Sequence, residues 1–142
     1  MQTYEVFTSI AAPRDAVWQV LSKVAAWPEW LPTVNSVHAL DGDCLDVGSR
    51  YVVRQPKLRP ATWVVTELEQ PRRFVWVAHS PSLRMTAEHT VDEISSGMSK
   101  IVLRFSFAGL LGGLVGRLYG SATKSYLARE AASLKQKVEA SG

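Results

Sequence analysis

The sequence predicts an α+β fold: a seven-stranded antiparallel sheet and a long C-terminal helix, with two short helices between the first and second strands. Three features lead there. Residues 33–107 read as a succession of period-two apolar runs broken by short turn signals, as neighbouring antiparallel strands require. The segment from about Leu111 to Glu139 has no proline and carries apolar residues at helical spacing. Two segments before these runs, after an opening strand, each hold a proline suited to a first helical turn, Pro13 and Pro28.

Residues 3–10 set Tyr4, Val6 and Ile10 among Thr and Ser and predict the first strand. The helix that follows starts at Pro13, places Asp15 near the positive end of its dipole, and presents Val17, Val20, Leu21 and Val24 as an apolar stripe. Next comes Trp27-Pro28-Glu29-Trp30-Leu31-Pro32, which holds two of the five tryptophans. One helical turn opened by Pro28 and closed by Pro32 puts Trp27 and Trp30 on one side, as an aromatic plug that stoppers one end of the sheet.

Six further strands are predicted at 33–40, 48–55, 61–69, 73–79, 83–94 and 99–107. In the last, Ile101, Leu103, Phe105 and Phe107 alternate with Lys100, Arg104 and Ser106, so the odd-numbered side faces the core. Its partner directs Met85, Ala87, His89 and Val91 inward by the same alternation. The closing helix has its stripe at Leu127, Ala131, Leu134 and Val138, and this face runs back through Thr123, Gly120, Gly116 and Gly113.

Glycine in a helix interior costs about 1 kcal/mol relative to alanine, so three on one face call for a compensating cause. Either the helix backbone approaches the sheet closely, or side chains are omitted to leave a hollow. The opposing sheet supplies bulky Trp63, Trp76, Phe105 and Phe107, which favours the hollow. An empty apolar cavity destabilises by about 24 cal/mol per Å³, so a hydrophobic small molecule is the expected occupant. The predicted binding residues are Gln55, Trp63, Trp76, Met85, Ala87, His89, Leu103, Phe105, Gly116, Tyr119, Gly120, Thr123 and Leu127. On the opposite side, Leu111, Val115, Leu118 and Ala122 form a second apolar face. It either packs under the plug after a bend near Gly120 or is a contact for a protein partner or a membrane, and a homodimer stays open.

His89 reads three ways: a core histidine bonded to backbone, a polar contact for a ligand, or an acid–base group. Gln55 faces either inward with Tyr51 and Val53 or outward. Glu67, on the face of Trp63 and Val65, is a pocket acid or an edge residue, and the cost of an isolated buried carboxylate points to the edge. Tyr119 and Tyr126 offer hydroxyls at the margin of the glycine face. No metal and no cofactor are expected: His38, His79 and His89 are far apart in sequence, Cys44 is the single cysteine, and nucleophile-elbow, P-loop and dinucleotide motifs are absent.

The totals limit the function classes. A length of 142 residues fits one domain, 1–142, with 46% hydrophobic and 20% charged residues. The net charge of +3 is scattered, not gathered into a reading surface, so nucleic-acid binding is not expected. No run approaches a membrane span and the N-terminus lacks a secretory pattern, so a soluble cytoplasmic protein is expected.

Three stretches, "IAAPRDAVWQVLSKVAAWPEWLP", "GSRYVVRQPKLRPATWVVTELEQPRRFVW" and "AEHTVDEISSGMSKIVLRFSFAG", resemble the START-like polyketide cyclase/dehydrase and lipid-transport group, the SRPBCC proteins. The resemblance implies the helix-grip fold, in which a curved antiparallel sheet wraps the last helix around a deep, largely apolar pocket. It implies a carrier of lipids, quinones or polyketide-like molecules, or a cyclase/dehydratase-type enzyme, and transfers no catalytic residue onto a position of this chain.

Overall fold

A computed structural model describes residues 2–141. The chain forms β1 (Gln2–Ile10), α1 (Arg14–Leu21), a 3-10 turn (Val24–Glu29), β2 (Ser36–Ala39), β3 (Arg50–Arg54), β4 (Ala61–Glu69), β5 (Arg73–Ser80), β6 (Leu83–Ser95), β7 (Met98–Ala108), α2 (Gly112–Leu118) and α3 (Gly120–Ser141). The seven strands make one antiparallel sheet in the order β1-β7-β6-β5-β4-β3-β2. This is the predicted helix-grip, START-like arrangement.

The topology follows from connection length. Strands β2 to β7 pair with their sequence neighbours, whereas β1 joins the free side of β7 and so lies at the edge opposite β2. The chain between β1 and β2 must therefore cross the sheet. That crossing carries α1 and the 3-10 turn, whose Val17, Trp18, Leu21, Val24 and Trp27 are buried in the core.

The aromatic plug differs in detail from the expectation. The turn begins at Val24, with Pro28 inside it, because the buried Val24 anchors the segment earlier than the proline suggests. Trp27 does not cap an end of the sheet: its ring reaches the core against Trp76 and His89, at 5.3 and 5.7 Å between centroids. Its indole N–H donates to the Leu21 carbonyl at 2.9 Å, which satisfies the polar atom that burial would otherwise orphan. Trp30 stays half-buried, edge-on to Trp27.

The single long helix expected from Leu111 to Glu139 is two helices. They break at Tyr119, whose backbone leaves the helical region at φ −108° and ψ 13°. Both the amide and the hydroxyl of Thr123 donate to the Tyr119 carbonyl at 2.8 Å, so the broken turn keeps its acceptor satisfied. Leu111 and Leu118 are exposed, which corrects the expectation that a bend would fold this face beneath the plug.

The glycine face also has a different cause from the one predicted. A side chain at Gly116 would collide with Gln2, and one at Gly120 with the ring and hydroxyl of Tyr4. The Tyr4 hydroxyl donates to the Gly116 carbonyl at 2.7 Å. Close approach, not a hollow, accounts for these two glycines, while Gly113 has open space around its missing side chain. The sequence reading set the helix against Trp63, Trp76, Phe105 and Phe107; Phe107 does reach Gly116, at 3.4 Å from the position of its missing Cβ, and pairing of β1 with β7, across about a hundred residues of chain, brings in Gln2 and Tyr4 as well. Gly109 has a separate necessity, since at φ +95° a Cβ would lie 2.8 Å from the Ser82 carbonyl oxygen.

Gly120→Val should therefore destabilise the fold by roughly 1–3 kcal/mol through overpacking against Tyr4. In a double-mutant cycle with Tyr4→Ala, followed by urea denaturation, the combined loss should be clearly smaller than the sum of the single losses. Additive losses would show that the two positions do not share that space.

Candidate functional site

The register of the central strands assembles the site. Phe74 pairs with His89 and Trp76 with Ala87 across β5 and β6; His89 then pairs with Leu103 and Ala87 with Phe105 across β6 and β7. Alternation directs this set to one face, where it meets Leu127 and Glu130, three residues apart on α3. Between them lies a hollow of about 60 Å³, walled also by Trp27, Val34, Val53, Gln55 and Trp63. Glu88 and Arg104, chain neighbours of wall residues, border it as well.

Of the residues predicted to bind, the hollow brings together Gln55, Trp63, Trp76, Ala87, His89, Leu103, Phe105 and Leu127. It does not reach Met85, Gly116, Tyr119, Gly120 or Thr123. Gly116 and Gly120 are covered by Gln2 and Tyr4, Tyr119 turns to solvent at the helix break, and the Thr123 hydroxyl is committed to that break. Met85 is half-buried farther toward the start of β6. Gln55 faces inward, its amide donating to the Thr33 carbonyl at 3.2 Å. Tyr126 bonds to the Pro56 carbonyl at 3.5 Å and is not part of the wall. Glu67 is exposed beside Arg73, because a β-bulge between Val65 and Glu67 breaks the alternation that would have turned it inward.

The hollow is smaller than a deep apolar pocket, because aromatic rings fill the interior. Trp63 stacks on Trp76 with centroids 5.6 Å apart, and Phe74 meets Trp76 edge-on at 5.5 Å. An engineered cavity that takes benzene measures about 150 Å³, so the resting hollow suits a few waters or part of a ring.

His89 is 3% exposed and lies face to face with Phe74, ring centroids 4.1 Å apart. Its Nδ1 sits 3.4 Å from the Phe74 carbonyl. A carbonyl only accepts, so a proton on Nδ1 donates there and leaves the Nε2 lone pair free. Nε2 lies 3.6 Å from Glu130 Oε2, whose side chain is 17% exposed. That oxygen is enclosed and finds no hydrogen-bond partner among the described residues.

Burial disfavours both charged forms. It pulls the imidazole down to about 3, opposed by the Phe74 hydrogen bond and aided by the Arg73 charge, and pushes the Glu130 carboxyl up to about 7. Near neutral pH the site thus holds a neutral base beside a carboxyl poised between its two forms. The sequence reading missed Glu130, Trp27, Val34 and Val53 as wall residues. Glu130 was the one that could have been found, since it stands three residues beyond Leu127 on the same helical face. Among the described residues, no group of three His, Cys, Asp or Glu side chains is placed to hold a metal ion.

Fold and site together define a START-like helix-grip protein with a hollow between sheet and final helix. The chain belongs to the family described as polyketide cyclase / dehydrase and lipid transport, whose model matches residues 1–139. Among solved structures it is similar to the Zhui aromatase/cyclase from Streptomyces sp. R1128, at 17% identity, covering 97% of this chain and 93% of that one with a TM-score of 0.79. A START superfamily protein from Mycobacterium smegmatis matches at 14% identity over 100% of both chains, with a TM-score of 0.74. Norcoclaurine synthase from Thalictrum flavum, in complex with dopamine and hydroxybenzaldehyde, matches at 15% identity over 96% of this chain and 86% of that one, TM-score 0.76. At such identities these likenesses establish the fold alone. Comparison with curated protein sequences returned no match.

The paired groups give opposite pH dependences. The folded Glu130 keeps a proton that the unfolded chain releases between pH 4.5 and about 7, so stability falls as pH rises through that window. His89 refuses a proton that the unfolded chain takes as pH falls from 6.5 toward about 3, so stability falls with falling pH there. Glu130→Gln removes the first dependence. Its stability relative to the parent protein should increase by roughly 1–3 kcal/mol between pH 4.5 and 7.5 in chemical denaturation. A difference that does not change with pH would place the Glu130 carboxyl in water.

Proposed function

We propose that the chain binds a small hydrophobic molecule bearing a ring and a hydrogen-bonding oxygen, held between the sheet and α3. The observation that carries this reading is the His89–Glu130 pair set among apolar walls, with Glu130 Oε2 unpartnered and enclosed. An oxygen on the guest would supply the missing partner, while Trp63, Trp76, Phe105, Leu103 and Leu127 offer flat and aliphatic surface to the rest of it. Burial of that apolar area supplies affinity at about 25 cal/mol per Å², and the polar pair sets orientation.

The family's description and the aromatase/cyclase likeness support a guest of lipid, quinone or polyketide type. The ring-bearing compounds in the norcoclaurine synthase complex fit the same chemistry. Because the resting hollow is about 60 Å³, a whole guest needs the wall to yield. Gln55 and Phe105 are half-buried lining residues that reach the surface, as do Glu88, Arg104 and Glu130, and displacement of Gln55 and Phe105 opens a route inward. Holding the guest is the reading that these residues support.

Quenching of tryptophan fluorescence tests it with naphthol and with naphthalene, which share rings and differ in the hydroxyl. Naphthol should bind more tightly by about tenfold, the worth of one buried hydrogen bond. Glu130→Leu should erase that preference, and Ala87→Leu, which adds bulk to the hollow, should weaken both compounds. Absence of saturable quenching by either, together with no molecule recovered by solvent extraction and mass spectrometry of the purified protein, would overturn the proposal.

A further inference from the structure

The short helix α2 has its bulk on the wrong side for a helix that packs by hydrophobic burial. Gly112 and Gly116 are buried against Phe107 and Gln2, while Leu110 before the helix, and Leu114 and Leu118 within it, are 92%, 58% and 70% exposed. At 100° per residue these leucines share the side opposite the glycines, with Leu111 beside them. Large exposed apolar side chains gathered on one element mark a contact surface.

The charges around them have one sign. Arg117 lies on α2 and Lys124 on the first turns of α3, both exposed. The Leu111 amide donates to the Ser82 carbonyl at 2.8 Å, bringing the β5–β6 turn and its exposed Arg84 alongside. The Tyr126 hydroxyl bonds to the Pro56 carbonyl and so holds the β3–β4 loop, with exposed Lys57, Leu58 and Arg59, against α3. None of these five cations has an ion-pair partner among the described residues. The segments that carry them, 47–66, 70–87 and 94–129, contain no Asp or Glu.

We infer that this end of the molecule docks on the surface of an anionic lipid bilayer, with the α2 leucines in the acyl-headgroup boundary and the five cations over the lipid phosphates. Charge complementarity selects the occupant. A symmetric dimer through this face would press the same cations against one another, at a cost in repulsion. A bilayer presents negative charge and apolar depth together and requires no shaped partner for leucines on a helix only about 10 Å long. The contact is peripheral, since no helix among the described residues is long and apolar enough to cross a membrane. This inference stands apart from whatever the hollow holds.

Co-sedimentation of the whole chain with vesicles of phosphatidylcholine, with or without phosphatidylglycerol, tests it at low and high salt. The protein should partition onto the mixed vesicles at least about tenfold more strongly than onto phosphatidylcholine alone, and salt should reduce that advantage. Leu114→Ser with Leu118→Ser, at positions already in water, should cost about tenfold in partitioning while circular dichroism shows an unchanged fold. Lys57→Glu with Arg117→Glu should remove the preference for phosphatidylglycerol. No binding to mixed vesicles at low salt, or full binding by the leucine variant, would overturn the inference. So would a dimer in analytical ultracentrifugation that Leu118→Ser dissolves, which would assign the face to a second copy.

Discussion

Tyr4, seated against the bare side of Gly120 and bonded to the Gly116 carbonyl, makes the contact on which the remaining architecture depends. Its hydroxyl ties β1 to the Gly116 carbonyl, and its ring takes the volume a side chain at Gly120 would need. That contact brings α2 close to the β1–β7 edge and sets where α3 begins after the break at Tyr119. With this space filled, the room beside α3 lies farther along, where Leu127 and Glu130 face the central strands. The location of the hollow is thus a consequence of where the chain is packed most tightly.

Along β6, two neighbouring residues show how far a sheet separates electrostatic environments. Glu88 points to the outer face, where it meets Arg73 at 2.9 Å and half-exposed Arg104 at 3.8 Å. His89 points inward to rings and to one enclosed carboxyl. Solvent screens the outer cluster, so its contribution to stability is small. Inside, desolvation outweighs attraction between the partners and drives both toward their neutral forms. Such a site has polar capacity that the protein itself leaves unused, the property that distinguishes it from ordinary core.

The same tight packing explains why α2 is leucine-rich outside and glycine-rich inside. A helix that must lie within reach of the Phe107 main chain and the Gln2 side chain has no room for large inward residues. Its leucines then contribute nothing to the core, and their retention on the surface calls for a use there. The inner glycine face and the outer leucine face are two sides of one constraint.

Much of the fold was legible because it rests on local periodicity. Seven alternating runs, the inward side of β6 and β7, and the α3 stripe of Leu127, Ala131, Leu134 and Val138 all follow from spacing, and the structure buries the α3 stripe and the inward β6 and β7 residues apart from half-buried Met85 and Phe105. His89 was legible as an inward residue for the same reason. Less local facts were not. The bulge that turns Glu67 outward adds one residue to a count that parity alone cannot see. The break at Tyr119 is hidden in a proline-free segment, and spacing that puts Glu130 on the Leu127 face does not by itself bring it to His89. What the sequence determined by itself was the type, order and core face of the elements, since these depend on residues a few positions apart. Only the tertiary structure decided that Tyr4 fills the glycine gap, that Glu130 meets His89, and that the α2 leucines remain in water. Each of these depends on which distant segments share one small volume, and the sheet's pairing of its first strand with its last settles that competition.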